Sequence, residues 1–434
     1  MKQIDPSTPH PSYGDLARKA NVSLDAFNGE VAEYIPSLVG QTSDEYKAYV
    51  GRAAYFNVVD RTAQALIGAM MRKPYTTTNL AQFPLTDQSS IDTFLQYSIR
   101  SVLLGGKIGM LVDAVNTPQG VRSKIITYTA TDIINWGDNF FVIKETVLMP
   151  DSNNRFSLIP VTTYRELFLD EEGFYASQTW SKSNGNWFAE LNPQLLVSGL
   201  PIEYVPLWVA NPYDNTDAVY TPPLFTQASL NIQWFKQAID LAHYAHFMAL
   251  PTPVIVGDLK SWVDDAGNNV TSEVYLGSTS KPTQLTIGST FEYMEVSGVS
   301  FKMLQDEMKN LEERMYIAGS RLLSVKKGVE SVEALQVRSG SESAVLETIT
   351  NTLESALTGA LQLCAEIDRN MATNVSIRLN KDFTATKMEP ASVKSILDLY
   401  TASVITLDQA LSALYEGEVI EADELQKVKT NTEE

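Results

Sequence analysis

From Pro222 to Lys326 the chain reads as a long helix, a compact β-rich insert and a second long helix, and this arrangement constrains the fold more than any other stretch. In the run Leu224 to Leu250, Ala228, Ile232, Phe235, Ile239, Ala242 and His246 recur at steps of four and three, which predicts one face of an α-helix. Pro222 and Pro223 suit a first helical turn, and Pro251 and Pro253 stop the helix. Between Val299 and Leu323, Leu304, Met308, Leu311, Met315, Ala318 and Leu322 step in the same way. Asp306, Glu307, Lys309, Asn310, Glu312 and Glu313 occupy the other side. The intervening runs VIVG, EVYLG, TQLTIG and FEYMEV are expected strands. Helices of 24–27 residues extend about 36–40 Å at about 1.5 Å per residue. Apolar stripes of that length need cover, and neighbouring subunits are the expected cover.

Upstream, one continuous helix is expected from Ser43 to Met71, capped by Thr42 or Ser43 and ended by Pro74. Another covers roughly Ser89 to Leu104. Gly105-Gly106 then opens a strand, and the GGKIG run there is a turn, since it lacks the Lys-Ser/Thr of a phosphate loop. Strands are expected at 107–115, 122–129, 139–149, 156–168, 172–180, 187–189 and 202–209, an antiparallel meander with SKSNGNWF as a hairpin tip. A long helix is expected from about Ser341, then a strand at Val375–Asn380, then three short helices in SVKSILDLYTAS, TLDQALSALYEG and EADELQKV. The fold class is α+β.

Composition closes several options. With 52 acidic and 33 basic residues the net charge is −19, which argues against a basic module that holds DNA by neutralising phosphates. One cysteine, Cys364, permits no intrachain disulfide and sits in an apolar helical run as a small hydrophobe. No apolar run is long enough for a membrane span, and the opening MKQIDPSTPHPSYG is unlike a signal peptide. His243 and His246 are three apart on a helix, but no HExxH pattern accompanies them. No metal or cofactor is expected, and no nucleophile sits in a recognisable catalytic motif. The rival from an enzymatic class is a metal-dependent hydrolase using Asp264, Asp265 and His243/His246.

The run EYKAYVGRAAYFNVVDRTAQALIGAMMRKP resembles a stretch near the start of one group of portal proteins of tailed bacteriophages. The GMLVDA strand after Leu104-Gly105, and SESAVLETITNTLESALTGALQLCAEI followed by SIRLNKDF, are similar to later parts of the same group. The likeness spans roughly 10–425; Tyr55 and Met71 stand where the group has Phe. The resemblance implies a non-enzymatic subunit of a ring, typically of twelve, at one capsid vertex. Its parts would be an N-terminal arm and β-rich wing (1–222), stem helices at 223–250 and 299–323 and a small β-containing clip at 251–298. A tunnel loop (324–333), a long wing helix and strand (334–385) and a helical crown and tail (386–434) would complete it. It implies docking of the terminase large subunit and of head–tail adaptor or tail proteins at the clip, contacts with capsid and scaffold proteins, and double-stranded DNA passing without sequence preference. The location implied is the virion, after assembly in the host cytoplasm.

On this reading Asp306, Glu307, Glu312 and Glu313 line the channel, and Asp264, Asp265 and Asn268 belong to the docking clip. Lys326, Lys327, Glu330 and Glu333 fall in the tunnel loop. The Lys326-Lys327 pair stands open between a solvated loop and sparse phosphate contacts. A virion scaffold or adaptor without a channel is the remaining alternative.

Overall fold

The computed structural model describes residues 5–80, 90–117, 120–151, 154–249, 252–257, 259, 261–263, 267–271, 285–294, 298–320, 332–368, 374–383, 390–402, 404–416 and 419. In chain order the elements are α1 (Tyr13–Asn28), α2 (Ser43–Val50), α3 (Val58–Met70), β1 (Thr76–Thr78) and α4 (Ile91–Gly105). Next come β2 (Ile108–Thr117), β3 (Gly120–Thr129), β4 (Ile133–Gly137), β5 (Phe140–Pro150), β6 (Leu158–Leu169), β7 (Tyr175–Ser183) and β8 (Asn186–Leu191). Short strands β9 (Leu196–Val197) and β10 (Leu200–Pro201) and the strand β11 (Leu207–Ala210) precede the helix α5 (Phe225–Ala249). Then follow β12 (Thr252–Val256), β13 (Ser261–Val263), β14 (Asn269–Thr271), β15 (Thr290–Met294), α6 (Gly298–Ser320) and α7 (Val332–Ile367). The last are β16 (Ser376–Arg378), α8 (Pro390–Thr401) and α9 (Leu407–Glu416). The fold is α+β, and the described residues fall into two packed units. One draws on 1–20, 63–223 and 320–434; the other on 21–62 and 224–319.

In the first unit, α7 lies on a three-stranded antiparallel sheet of order β11-β2-β3. Ile349, Leu353, Leu357, Leu361 and Cys364 form its buried stripe, as the four-and-three spacing predicts. Burial pushes the Cys364 thiol up to about 12, so it behaves as a hydrophobe. Residues 108–112 of β2 are buried without alternation, the pattern of a strand covered on both faces. Gly106 ends α4 in the left-handed region at φ 83°, its N–H donating to the Val102 carbonyl at 3.0 Å, which is the glycine-capped stop before a buried strand.

Lys107, which composition does not single out, is 2% exposed. Its ammonium sits 3.9 Å from the centroid of the Trp136 ring, and burial lowers its pKa to about 8, against a smaller opposing pull from Asp217.

A five-stranded antiparallel meander, β4-β5-β6-β7-β8, forms the second sheet of this unit. Its β7–β8 turn carries Asn184 and Gly185 at φ 50° and 83°, the signature of a two-residue hairpin. Arg165 of β6 donates to the Asp113 carboxylate on β2 at 3.0 Å, and the Tyr128 hydroxyl donates to the Glu145 carboxylate.

Several sequence expectations are corrected. The helix expected over 43–71 is two helices, α2 and α3, with a break at 51–57. The strand β4 is added to the meander. The β16 strand, expected at 375–380, pairs with the unexpected β1. The long helix starts at Val332, nine residues before Ser341, so Glu333 lies in helix and not in a loop. The expected EVYLG strand and EADELQKV helix lie outside the described residues.

Candidate functional site

The candidate site is the second unit's helical hairpin, α5 and α6, with its β-paired tip. Contacts step in opposite directions along the two helices, so they run antiparallel. Gln227, 2% exposed, donates from Nε2 to Thr62 Oγ1 at 2.9 Å and to the Met315 carbonyl at 3.3 Å. Trp234 Nε1 donates to the Glu312 carboxylate at 3.0 Å, and Tyr244 stacks on Phe301 with ring centroids 6.2 Å apart. Gly319 is where α6 meets the Gln227 amide; a Cβ there would collide with Nε2.

The apolar stripes are covered in part within this chain. On α5, Ala228, Ile232, Phe235 and Ile239 are buried and Ala242 is half-buried; on α6, Leu311 and Met315 are buried and Leu304, Met308 and Ala318 are half-buried. For the buried residues this corrects the expectation that neighbouring subunits cover them. On α5 the cover comes from residues 21–62: the Tyr55 ring meets Phe235 edge-on at 5.3 Å, and Phe56 lies against Trp234. His246, placed on the apolar face by its spacing, is exposed.

The break between α2 and α3 is part of this packing. Asn231 is fully buried on α5, and its Oδ1 accepts from Val58 N at 3.1 Å and from the Tyr55 hydroxyl at 2.9 Å. Its Nδ2 donates to the Phe56 carbonyl at 3.0 Å. Asn57 caps α3, its Oδ1 accepting from Asp60 N at 2.9 Å. The amide of one side chain thus takes up backbone groups that a continuous helix would have paired internally. An asparagine beside Ile232 on an otherwise apolar stripe was the sequence signal for it.

Further along, Tyr49 is buried and its hydroxyl donates to the Asp240 carboxylate. Burial first, then that carboxylate, holds the Tyr49 pKa above the ordinary tyrosine value. His243 meets Tyr49 edge-on at 5.1 Å, and burial followed by the Arg52 charge holds its pKa below the ordinary value. Among the described residues no group of three His, Cys, Asp or Glu is placed to hold a metal.

The exposed residues of α6 carry both signs: Asp306, Glu312 and Glu313 stand with Lys302, Lys309 and Arg314, and Glu307 is half-buried. Lys309 approaches Asp306 at 3.9 Å across one turn, and Asn310 donates to Glu307 at 3.3 Å. At the tip, β12 pairs antiparallel with β15 from Thr252↔Met294 to Val256↔Thr290, and β13 pairs with β14. Asn268 is exposed between β13 and β14. Asp264, Asp265, Lys326, Lys327 and Glu330 lie outside the described residues. Among the described residues no helix is long and apolar enough to cross a membrane.

Residues 223–367, which span this hairpin and α7, match the family described as a domain of unknown function, DUF4055. No curated protein matches the chain. Among solved structures, a chain in the neck of an empty GTA particle computed with C6 symmetry is 11% identical, with a TM-score of 0.42 over 87% of this chain and 94% of that one. A chain from the virion of a native gene transfer agent particle is 13% identical, with a TM-score of 0.43 over 90% and 98%. One from the neck of a native GTA particle computed with C12 symmetry is 10% identical, with a TM-score of 0.40 over 90% and 98%.

Proposed function

We propose that this chain is a portal protein: a non-enzymatic subunit of a ring-shaped connector at a capsid vertex, through which double-stranded DNA passes during packaging and ejection. The observation that carries the reading is the polarity of α6. Leu311 and Met315 tie one side of it to its own unit, while its exposed residues mix the carboxylates Asp306, Glu312 and Glu313 with the cations Lys302, Lys309 and Arg314, so a phosphate backbone meets no uniformly basic face. A wall that guides DNA without holding it needs such a surface, because each phosphate contact adds affinity that a conduit must then overcome. The resemblance of residues 45–74 to phage portals supports the same reading.

In this role α5 and α6 are the stem, residues 251–298 are the clip that docks the terminase large subunit and later the adaptor or tail proteins, and 324–331 precede α7 as the tunnel loop. Lys326 and Lys327 there give sparse, reversible phosphate contacts. The subunits assemble in the host cytoplasm with capsid and scaffold proteins and end in the virion.

Negative-stain electron microscopy of the purified chain tests the ring directly: particles with a central hole are expected, and a population of discrete monomers refutes the reading. The wall is tested by an Asp306→Lys/Glu312→Lys/Glu313→Lys variant. It should bind duplex DNA more tightly than the parent at low salt and lose that gain as salt rises. A variant whose DNA binding matches the parent's removes α6 from the channel. Packaging and retention of DNA by Lys326→Ala/Lys327→Ala at the parental level would remove the tunnel-loop role.

A further inference from the structure

The sheet of the first unit carries a feature that the proposed channel does not use. The β5–β6 ladder runs from Phe140↔Phe168 to Pro150↔Leu158, but β4 pairs with β5 only as far as Ile143, and β7 pairs with β6 only from Tyr164 on. Residues 144–150 and 158–163 therefore form a two-stranded ribbon beyond the sheet. Opposed residues share a face and successive pairs alternate. Val147↔Val161 and Met149↔Ile159 lie on one face; Leu148↔Pro160 and Pro150↔Leu158 lie on the other. Val147, Leu148, Met149, Leu158 and Ile159 are 45–59% exposed, and Phe156 at the turn is 81% exposed.

An antiparallel ribbon that ends in solvent normally keeps one polar face, and an isolated two-stranded ribbon is marginal in water. Here both faces are apolar.

We propose that this ribbon is a contact arm for a second copy of this chain. Two observations select that occupant. The exposed apolar side chains present on the order of 700 Å², close to the roughly 800 Å² that one partner contributes to a standard interface. The chain carries a net charge of −19, yet from Thr146 to Thr163 its charged residues are Asp151 and Arg155, which cancel. Copies of an acidic chain repel except through a neutral surface, and this is such a surface; it offers a nucleic acid nothing for its phosphates. The same unit also exposes apolar side chains elsewhere, Phe188 and Leu191 on opposite faces of β8 and Leu200 on β10, and a head-to-tail contact of the arm with another copy is the form that closes into a ring. Pro160 lacks the N–H that edge pairing would use, so the faces and not the strand edge make the contact.

The inference rests on the ring reading for its head-to-tail form but not for the self-contact. The test uses the full chain and a Leu148→Ser/Met149→Thr/Ile159→Thr variant, with mass photometry across a concentration series and a photo-crosslinking amino acid at Phe156. Mixing isotopically light and heavy chains marks crosslinks between copies. The variant should keep its circular dichroism and unfolding midpoint, while the concentration for half-assembly rises on the order of tenfold or more. The crosslink should join light to heavy chains.

Rings that persist unchanged in the variant overturn the arm and leave the ring. Assemblies without a central hole that the variant dissociates support the arm and refute the ring. A closed dimer crosslinked arm to arm supports the self-contact in a two-fold form. A purified chain that stays monomeric, or crosslinks within one copy alone, overturns the proposal, as does an arm that attaches only to a different protein.

Discussion

Two hairpins extend from this molecule's units, one of helices and one of strands, and their apolar residues are treated in opposite ways. In α5–α6 the stripe residues Ile239 and Leu311 are fully buried in the chain's own core, and polar stitches such as Gln227 to Met315 fix the pairing. In the outer half of β5–β6, Leu148 and Met149 are more than half exposed. An amphipathic period says that a face will be covered, but it does not say by what. The helices look from sequence like surfaces that neighbours must cover, yet the middle of the α5 stripe is covered by residues 21–62. The ribbon attracts no notice in the sequence because it reads as the ends of two ordinary long strands, and it is left bare.

The largest expected difference comes from the same residue type in both places. Phe235→Ala should cost about 3–5 kcal/mol, the range for truncating a buried aromatic ring. Phe156→Ala should change the subunit's own stability by less than about 0.5 kcal/mol and weaken only its assembly. Denaturant titrations of both variants at a concentration where the chain is dissociated measure this; equal costs would erase the contrast. Next is Asn231→Leu, which strands the Val58 N–H and the Phe56 carbonyl in the interior. It should cost about 2–4 kcal/mol by the same titration, because each unsatisfied buried group costs about 1–3 kcal/mol.

A smaller effect separates the hairpins by pH. The folded pKa of Tyr49 lies above the ordinary value near 10, so its contribution is complete below about pH 10 and fades as the pH climbs past it. Tyr49→Phe should flatten that alkaline loss in unfolding midpoints taken from pH 8 to 11. Self-association through the apolar part of the ribbon, from Thr146 to Thr163, should show no matching change over pH 7 to 9. The smallest effect belongs to Asp306→Asn: the Lys309 pair it breaks is exposed at both ends, so stability should move by less than about 0.5 kcal/mol. A larger loss in thermal melts would mean that the charged, exposed side of α6 packs against something.

Element types were legible where one period ran long. The stripe of α7, the meander, the Asn184-Gly185 turn and the capped end of α4 follow from spacing and from glycine and asparagine chemistry that acts within a few residues. Failures came where a distant partner overrode local preference. Residues 43–71 have the apolar period and no internal proline of a single helix; Gly51 ends α2, Asn57 caps α3, and the distant Asn231 takes up the backbone between them. Likewise β1 is three threonines, a strand solely because β16 lies beside it. At the candidate site the charged, exposed side of α6 could be read directly. The Tyr49–Asp240 and Trp234–Glu312 contacts could not, since each joins segments far apart in the chain.

The Asn231 clamp also sets an order of events during synthesis. Val58 and its acceptor are 173 residues apart, and the second unit is assembled from two pieces separated by residues 63–223. At roughly 5–20 residues per second, the first piece leaves the ribosome about ten to thirty seconds before α5 exists to receive it. During that interval the Tyr55 hydroxyl, the Phe56 carbonyl and the Val58 N–H lack the side chain that pairs them in the finished protein. The break at 51–57 gains that partner only once Asn231 has been made.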